Sequence, residues 1–550
     1  MSARKKIGTR GSDLALWQAR YVAEALRAQG CETEIVVLKT KGDLIDDVPL
    51  RQVEGKAFFT AEIERALLTH EVDVAVHSHK DLPTEMTRGL AIAAVPRRAA
   101  CHERLLARTE CVDREAAFLP LARGAIVGTS APRRAEQLRT LRPDLRVEEL
   151  RGNVPTRVRK LREGRYDAIV LAAAGLDRLE LSVEGLFAHD LEVALFVPAP
   201  AQGALAVQVR SDDAEMLALC RAALHDAATA RAIEAERALL VGAGGGCSLP
   251  LAASVLAEGR QFRAHGFLGA GHPAIAAHGR WAEARASSPE AAIDAVLRVL
   301  RHGEATGCGP LGGLRVALAG SAQDGSQLGE RLAELGAEVR TERVIALENL
   351  PGVDLFAFLS AAQPGDVIAV TSRHAARLLS GAKIATGIRF AAVGKASARE
   401  LASAGFPAQW IGESGARALA CSLELDRGAR VFWPCAAEAL PEFGAELRSR
   451  GIELRSLAVY RTLECEDVAL ALDVDARVYM SPSAVRAALA WERAHPQQRC
   501  VRYALGKSTA AALAGAGLAS AAPSCSAGPI TEDLVRELHE LRRRMGAEAR

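Results

Sequence analysis

Short apolar runs alternate with amphipathic segments along the whole chain, and this alternation restricts the fold more than any other feature. Each run has the length and composition of a buried strand and is followed by a turn and a segment of helical periodicity. The clearest runs are Val72–Val76, Ala125–Val127, Ala168–Ala172, Val316–Ala319, Val367–Val370 and Val478–Met480. Strands that alternate with helices predict α/β domains with largely parallel sheets.

The length of the chain requires several domains, because 550 residues are too many for one hydrophobic core. The glycine-rich stretch Gly303–Gly313 is the clearest linker, and the α/β pattern begins again after it with different loop residues. Just before it, Phe262–Trp281 shows partial alternation and predicts a more antiparallel α+β module. We predict two fused proteins, at about residues 1–305 and 314–546, joined by a linker at 306–313.

Composition argues against two classes of binding partner, nucleic acids and membranes. The net charge is +2, so no general attraction to nucleic acid or to membranes is expected. Aromatic residues make up 4% of the chain, which argues against a surface for base stacking. The first ten residues lack the apolar segment of a secretory signal, and no later stretch has the length of a membrane span. We expect a cytoplasmic monomer that binds small molecules and neither nucleic acid nor membranes.

One of the eleven cysteines lies in an unusual place. None forms a Cys-x-x-Cys pair, so neither a disulfide framework nor a structural zinc site is predicted. Cys247, however, follows the glycine cluster of Gly242–Gly246. A thiol on such a loop need not be shielded by neighbouring side chains, whereas a packing cysteine prefers a core. Cys247 is therefore a candidate point of covalent attachment.

Two arginines occupy a helix start that electrostatics disfavours. Pro132 would begin the helix, with Ser130 or Ala131 as its cap. Arg133 and Arg134 then lie in the first turn, where cations oppose the helix macrodipole. An anionic ligand bound by the free amides and both guanidinium groups would explain the arrangement. The alternative is a solvated surface pair.

Cations recur at other strand-to-helix turns. In an open α/β sheet such turns line the ligand crevice, so the predicted ligand carries several negative charges, as phosphates or carboxylates. A dinucleotide is not favoured, because no Gly-x-Gly-x-x-Gly follows a first strand. The recurring positions are Arg151 and Arg157 around Pro155, Arg10 before Ser12, and Lys56 in a loop after a glycine.

A lone carboxylate follows the run Val72–Val76. His77 and His79 would share a face there, but no further His, Cys or carboxylate cluster completes a metal site, so no metal is predicted. Asp81, beside Lys80 and the arginines, can stay ionised. Such a group could stabilise a developing cation and transfer protons. The alternative is that Asp81 only caps the next turn.

Six stretches of the first half together resemble hydroxymethylbilane synthase, also called porphobilinogen deaminase. They occur in the family's order and at its spacing over about residues 5–300. They are Val76–Pro83, Gly128–Arg134, Leu150–Arg157, Ala172–Leu179, Pro200–Ala204 and Gly244–Pro250. The resemblance implies two lobes like those of type II periplasmic-binding proteins and a small α+β domain that carries the cysteine. Their implied limits are about 1–100 with 200–218, about 101–199, and about 219–305.

The resemblance also implies a chemistry. Cys247 would carry a dipyrromethane cofactor through a thioether, and four porphobilinogen units would be added in sequence. Asp81 would assist the loss of ammonia, stabilise the resulting cation and manage protons. The acetate and propionate groups of the pyrroles would supply the polyanion. Matching cofactor positions are Ser78, Lys80, Thr129, Ser130, Arg133, Arg134 and Gln202, and matching substrate positions are Arg10, Ser12, Lys56, Phe59, Arg151, Arg157 and Arg178.

The second half carries small hydroxyl residues at four predicted helix starts. Together with free amides they suit several carboxylates on one ligand, although ordinary helix caps explain any one of them equally well. A P-loop is excluded, because Val501 stands where its first glycine is required. The hydroxyl residues are Ser372, Ser397, Ser481, and Ser508 with Thr509.

These turns and the segment Ala458–Thr462 resemble uroporphyrinogen-III synthase. The resemblance implies two α/β lobes joined by two crossing segments. The lobes would be about 314–345 with 466–546 and about 350–460, and the crossings lie near Glu342–Leu350 and Tyr460–Asp467. Tyr460 matches the family tyrosine suspected of helping the terminal hydroxyl to leave; its alternative role is packing. His374 stands where the family commonly has asparagine.

The two resemblances together predict a bifunctional enzyme of tetrapyrrole (haem) biosynthesis, a transferase followed by a lyase. It would make hydroxymethylbilane and close it to uroporphyrinogen III with inversion of the last ring. One alternative is a deaminase whose C-terminal half is an inactive interaction module. Another is a two-lobed protein that binds anionic solutes and has no use for Cys247 or Asp81.

Overall fold

The computed structural model describes residues 4–39, 60–244, 249–269, 279–302, 308–322, 326–412, 415–439, 441–466, 468–496, 498, 500–518 and 530–548. Within these ranges no helix is both long enough and apolar enough to cross a membrane. Three predicted site residues, Lys56, Phe59 and Cys247, lie outside the described residues.

The chain forms two compact units that do not follow chain order. The first unit comprises Met1–Val316, Gln327–Val339 and Ser524–Arg550, and the second comprises Ala317–Ser326 and Arg340–Pro523. The C-terminal residues therefore group with the N-terminal half. The sequence limits 1–305 and 314–546 stay a prediction about the fused domains.

The first sheet of the first unit has the strand order β2-β1-β3-β10-β4. β1, β2 and β3 are parallel, whereas β10 runs antiparallel to both of its neighbours. Alternate residues of β3 face opposite sides, so one face packs on α1 and α6 and the other on α2. The elements are β1 (Lys5–Thr9), α1 (Asp13–Ala28), β2 (Thr33–Val37), α2 (Ala61–Leu68), β3 (Val74–Ser78), β4 (Leu90–Ala94), β10 (Leu205–Arg210) and α6 (Ala214–Leu224).

The second sheet of this unit has the order β7-β6-β8-β5-β9. β6 is parallel to β7 and β8, and β5 is antiparallel to β8 and β9. The elements are β5 (Glu103–Arg108), β6 (Ile126–Gly128), α3 (Pro132–Leu141), β7 (Arg146–Glu148), α4 (Val154–Arg162), β8 (Ala168–Ala172), α5 (Ala173–Arg178) and β9 (Leu186–Asp190).

A three-stranded antiparallel sheet of order β11-β12-β13 follows. It packs against two helices around the buried residues Leu239, Val255, Leu268 and Val296. Two further helices, α9 and α17, group with the first unit from residue 327 and from residue 524. The elements are α7 (Ala227–Gly242), β11 (Leu251–Glu258), β12 (Gln261–Leu268), β13 (Arg280–Ala286), α8 (Pro289–His302), α9 (Ser326–Glu334) and α17 (Ile530–Glu548).

The second unit contains most of a four-stranded sheet, β15-β14-β22-β23, and all of a six-stranded sheet, β16-β21-β20-β17-β18-β19. The strands are β14 (Arg315–Gly320), β15 (Glu338–Arg343), β16 (Ile345–Asn349), β17 (Val367–Val370), β18 (Arg389–Val393), β19 (Trp410–Gly412), β20 (Arg430–Ala436), β21 (Glu453–Glu464), β22 (Ala476–Tyr479) and β23 (Val501–Ala504). The helices are α10 (Leu355–Ser360), α11 (Arg373–Leu378), α12 (Gly394–Ser403), α13 (Ala416–Ser422), α14 (Glu442–Ser449), α15 (Pro482–Ala494) and α16 (Lys507–Gly515).

The segments predicted to cross between lobes pair with one another. β16 and β21 are antiparallel, with Asn349 opposite Tyr460 and Ile345 opposite Glu464. The pairs from β21 through β20, β17 and β18 to β19 are parallel.

The α/β class predicted from the sequence is confirmed, and the predicted strands at Ala168–Ala172 and Val367–Val370 have the observed bounds. The expectation of largely parallel sheets is wrong for β5 and β10. The chain passes from the first sheet to the second just before β5 and returns just before β10. Each of these strands therefore begins at the end of the sheet where the chain crosses over, and it runs antiparallel to both of its neighbours.

Candidate functional site

Asp81 closes a 3-10 turn that begins at His79 directly after β3, and its side chain is exposed. The backbone of this turn is fixed from two sides. The N–H of His79 donates to the carbonyl of Ala204 at 3.0 Å. Arg237 of α7 donates to the carbonyls of His79 at 3.4 Å and Leu82 at 3.2 Å, and to the following carbonyl. An exposed carboxylate is thus held on a backbone with little freedom.

Gln202 joins this turn to the start of α3. Its Oε1 accepts hydrogen bonds from Lys80 Nζ at 3.3 Å and from Arg133 Nη2 at 3.1 Å. Its Nε2 donates to the carbonyl of Cys101 at 2.8 Å, which fixes the orientation of the amide. Gln202 is fully buried. Three predicted cofactor-binding residues, Lys80, Arg133 and Gln202, are therefore in direct contact.

A buried carboxylate that the sequence analysis missed accounts for the arginines of α3. Glu103, the first residue of β5, accepts from Arg133 Nη2 at 2.8 Å and from Arg134 Nη2 at 2.6 Å. Burial alone would raise the pKa of Glu103, but the charges of Arg134 and Arg133 outweigh it and hold that pKa at about 2. Pro132 begins the helix and Ala131, without a side-chain bond, is its N-cap. Glu103 thus already neutralises part of the positive charge of Arg133 and Arg134, for which the sequence had predicted an anionic ligand.

Glu103→Gln is expected to destabilise the first unit by about 3–5 kcal/mol, because both buried guanidinium groups lose their counter-charge. Chemical denaturation, followed by a probe in the first unit, measures the change. The matched control is Glu110→Gln, whose exposed pair with Arg108 lies just after the same strand and should matter little. Equal stability of Glu103→Gln and the control would contradict this interpretation.

Cations exceed carboxylates around Asp81. Burial lowers the pKa of Lys80 to about 8 and the pKa values of Arg133 and Arg157 to about 10, and in all three the charge of Asp81 opposes the shift. Arg157 also donates from Nη2 to Ser130 Oγ at 3.5 Å. Asp81 therefore lies within electrostatic range of three buried cations.

Lys80 should make anion binding depend on pH near neutrality. A pKa of about 8 means that Lys80 loses its proton as the pH rises from 7 to 9, so KM for an anionic substrate should rise over that range. Lys80→Arg stays charged, and its KM should change less with pH. Parallel KM profiles for the two proteins would contradict the assignment.

The lowered pKa of Lys80 also affects folding stability. The folded state binds fewer protons than the unfolded state between pH 8 and about 10.4, so the contribution of Lys80 to stability increases with pH there.

The hydroxyl residues of the first half bond to protein groups. Ser12 Oγ caps α1 and accepts from the N–H of Ala15 at 3.4 Å. Ser78 Oγ accepts from Gln18 Nε2 at 2.9 Å. Thr129 Oγ1 accepts from the N–H at position 131 at 3.3 Å. These contacts position the turns that carry the cations.

The remaining predicted arginines lie at the same ends of the strands. Arg178 donates from Nη2 to the carbonyl of Gly203, next to Gln202, at 2.7 Å. Arg151 pairs with Glu149 at 3.1 Å. Arg10 follows β1 directly and is half-buried. The segments after β1, β3, β6, β7 and β8 and the turn before β10 thus supply the predicted residues of the first half that the structure describes.

The helix that leads to the cysteine loop is bound to β11 and to the segments that connect the two five-stranded sheets. Glu236 of α7 pairs with Arg98 at 2.6 Å and accepts from the N–H groups of Ala201 and Val255, each at 2.7 Å. The next residue, Arg237, binds the turn of Asp81. Gly244, at the end of the described part of this segment, has a φ of +96°, a conformation that favours glycine.

The two histidines are buried and have separate environments. His77 Nε2 lies 3.1 Å from Gln208 Oε1. Burial lowers the pKa values of His77 and His79 to about 4, so both are neutral at pH 7. Among the described residues no group of three His, Cys or carboxylate side chains is placed to hold a metal ion.

A second cluster surrounds Tyr460 in the second unit. The Tyr460 hydroxyl donates to Ser372 Oγ at 2.9 Å, so two predicted residues are in contact. The ring of His374 packs edge-on against that of Tyr460 with centroids 4.7 Å apart. His374 Nε2 lies 2.8 Å from Asn349 Oδ1. The cluster forms where the pair β16–β21 meets the turn after β17.

The other predicted hydroxyl residues of this unit are dispersed. Ser481 caps α15, and Ser372 caps α11 in addition to its contact with Tyr460. Ser397 is buried within α12, and Ser508 is exposed in the first turn of α16. Thr509 Oγ1 donates to the carbonyl of Leu505 at 3.4 Å. For Ser481 and Thr509 these contacts agree with the alternative interpretation as structural residues.

Four residues of the first site were missed by sequence reasoning: Arg98, Glu103, Glu236 and Arg237. Their partners lie between 19 and 158 positions away along the chain. One local signal existed, since Glu103 shares a strand face with Leu105 and Ala107 and a buried carboxylate needs a charged partner.

Comparisons with known proteins match each half separately. Residues 6–218 match the family model "Porphobilinogen deaminase, dipyromethane cofactor binding domain", and residues 326–532 match "Uroporphyrinogen-III synthase HemD". A porphobilinogen deaminase of Maridesulfovibrio salexigens is 47% identical over 264 residues, which are 48% of this chain and 83% of that protein. One of Acidothermus cellulolyticus is 50% identical over 251 residues, 45% of this chain and 74% of that protein.

Among solved structures, a uroporphyrinogen III synthase of Thermus thermophilus is 21% identical, with a TM-score of 0.31, and the match covers 42% of this chain and 99% of that one. The family models and the curated relatives confirm the resemblances proposed from the sequence for the two halves.

Proposed function

The chain belongs to the porphobilinogen deaminase family and continues into a uroporphyrinogen-III synthase domain, and from this we propose that it catalyses two consecutive steps of tetrapyrrole synthesis. The first step joins four porphobilinogen molecules and one water into hydroxymethylbilane with loss of four ammonia molecules. The second closes hydroxymethylbilane to uroporphyrinogen III with loss of water. The observation that carries the first assignment is the exposed Asp81 carboxylate within range of Lys80, Arg133 and Arg157.

The residues present fit a dipyrromethane cofactor. Such a group bears several carboxylates, and Lys80, Arg133, Arg134 and Arg157 exceed in number the carboxylates of Glu103 and Asp81. Within the described part of the chain, Nε of Arg133 is buried and has no hydrogen-bond partner, so it can donate to a ligand carboxylate. These side chains would hold the group while the thiol of Cys247 anchors it.

When bound, the cofactor would supply the free pyrrole carbon to which the first porphobilinogen is joined. Asp81 acts on porphobilinogen. Its carboxylate stabilises the cation that remains when the aminomethyl C–N bond breaks and ammonia leaves. It then accepts the proton released when the new C–C bond forms. The hydrogen bonds of Arg237 to the backbone hold Asp81 at this position.

The proposal also includes the limits of the fused domains, the cellular compartment and the oligomeric state. We assign residues 1–305 to a deaminase with two lobes built on the two five-stranded sheets, and residues 314–546 to the synthase. Nine cysteines in the described ranges are free thiols, which supports a reducing cytoplasm. We also propose a monomer without nucleic-acid partners, in keeping with the small net charge.

Tyr460→Phe tests the second step. Loss of the hydroxyl, which now contacts Ser372, should slow the closure of supplied hydroxymethylbilane by ~10–100-fold and leave porphobilinogen consumption unchanged. The matched control is Tyr479→Phe, another buried tyrosine of this unit, whose hydroxyl donates to Glu492 at 2.5 Å. The control should lower stability and spare the rate. Full activity of Tyr460→Phe would assign Tyr460 to packing alone.

The first step is tested by incubating the purified chain with porphobilinogen alone. Consumption of porphobilinogen with stoichiometric release of ammonia is expected. Reversible binding of porphobilinogen without release of ammonia would support the solute-binding alternative instead.

A further inference from the structure

The last helix of the chain packs in the first compact unit. Almost all of α17 lies beyond residue 532, where the match to the synthase family ends. Val535 and Leu538 are fully buried, and Leu534 and Leu541 are nearly so. The opposite face, with Glu540, is exposed. The apolar face of α17 is therefore buried within the first compact unit, which also contains residues 6–218 of the deaminase match.

Arginines of α17 bind backbone carbonyls at two places. Arg536 Nη1 donates to the carbonyl of Glu115 at 3.0 Å. Arg542 donates from Nε to Gly312 at 2.9 Å and from Nη1 to Pro310 at 3.3 Å. These hydrogen bonds fix the backbone of two loops, one that contains Glu115 and one that contains Pro310 and Gly312.

An aromatic contact supports a strained residue of the first loop. Phe118 has a φ of +62°, which is unfavourable for a bulky side chain, and yet it is buried. Its ring meets that of His539 edge-on, with centroids 4.8 Å apart. Burial, together with Arg542 and Arg543, lowers the pKa of His539 to about 4, so the ring packs in its neutral form at pH 7.

These two loops belong to different parts of the first unit. Glu115 and Phe118 connect β5 to β6 of the second sheet. Pro310 follows Cys308, whose sulfur accepts from the N–H of Glu283 in β13 at 3.2 Å. One helix therefore binds the sheet that supplies Arg133 and Arg157 and the three-stranded domain that follows the cysteine loop.

We propose that α17 is an interaction segment of the deaminase unit, so that the N-terminal reaction depends on the C-terminal helix of the chain. It holds the second sheet and the thiol-bearing domain in a fixed arrangement. The structural part of this inference is independent of any activity, and the effect on turnover rests on the proposed function.

The test uses the full chain with Leu538→Ala, which opens a cavity under the helix. Amide hydrogen exchange at residues 109–121 and 308–312 should become faster by ~tenfold, and porphobilinogen consumption should fall. Closure of supplied hydroxymethylbilane should be unchanged. The matched control, Glu540→Ala on the exposed face of the same helix, should behave as the unaltered chain does.

Unchanged exchange at residues 109–121 in Leu538→Ala would overturn the inference. If that protein does not fold, Arg542→Gln replaces it; this variant loses two hydrogen bonds, and exchange at 308–312 should still become faster. Exchange could become faster in the variant while even the unaltered chain does not consume porphobilinogen. That result would reject the proposed function and leave the inference about α17 standing.

Discussion

Asp81→Asn is expected to lower the turnover of porphobilinogen by ~10²–10⁴-fold while the protein stays folded. The amide has nearly the shape of the carboxylate but can neither balance a cation nor accept a proton. Because the side chain is exposed, its replacement removes no packing, and the thermal midpoint of the first unit should not change. The measurements are kcat with porphobilinogen and thermal unfolding of the same preparation.

The control for Asp81→Asn is Glu85→Gln, an exposed carboxylate four positions further along the chain. It should retain full turnover, since no contact among the described residues joins Glu85 to the cations of the site. Full activity of Asp81→Asn would remove the carboxylate from the mechanism and leave it as a residue of the turn.

Cys247→Ser is expected to abolish both cofactor attachment and formation of hydroxymethylbilane. A serine hydroxyl is a far weaker nucleophile than a thiolate, so the thioether cannot form. The intact mass of protein from cells that make porphobilinogen should include two pyrrole units for the unaltered chain and none for Cys247→Ser. Cys421→Ser, which changes an exposed free thiol of the second unit, should keep both the added mass and the activity. An equal mass addition on Cys247→Ser would place the cofactor elsewhere.

Much of the fold was predictable because its signals are local. A strand followed by a turn and an amphipathic helix is visible in any short window, and the strands at 168–172 and 367–370 agree with their predicted bounds. The direction of a strand within its sheet is not local. β5 and β10 run antiparallel because the chain changes sheets there, which no short pattern records.

The candidate site was predictable in its cations and not in their partners. Arg133 and Arg134 were visible as an unfavourable helix start, and this signal pointed to an anion. The sequence could not show that Glu103 supplies part of that anion, because the carboxylate arrives from another strand. The same limit applies to Arg237, which reaches the turn of Asp81 from a helix 155 positions away.

The second half shows how one pattern can serve two purposes. Ser372 caps a helix and also contacts Tyr460, whereas Ser481 is accounted for as a cap. A hydroxyl at a helix start thus predicts the start itself. Whether the hydroxyl also binds a ligand depends on what the fold places opposite it.

The isomer of the product tests the central claim, that one chain catalyses both reactions. The full chain is incubated with porphobilinogen and no other enzyme, and the uroporphyrinogen isomers are separated. Hydroxymethylbilane that leaves the first site without further catalysis closes spontaneously to uroporphyrinogen I. If one chain catalyses both reactions, uroporphyrinogen III should predominate. Uroporphyrinogen I as the sole product would contradict it and leave a deaminase with an inactive C-terminal half.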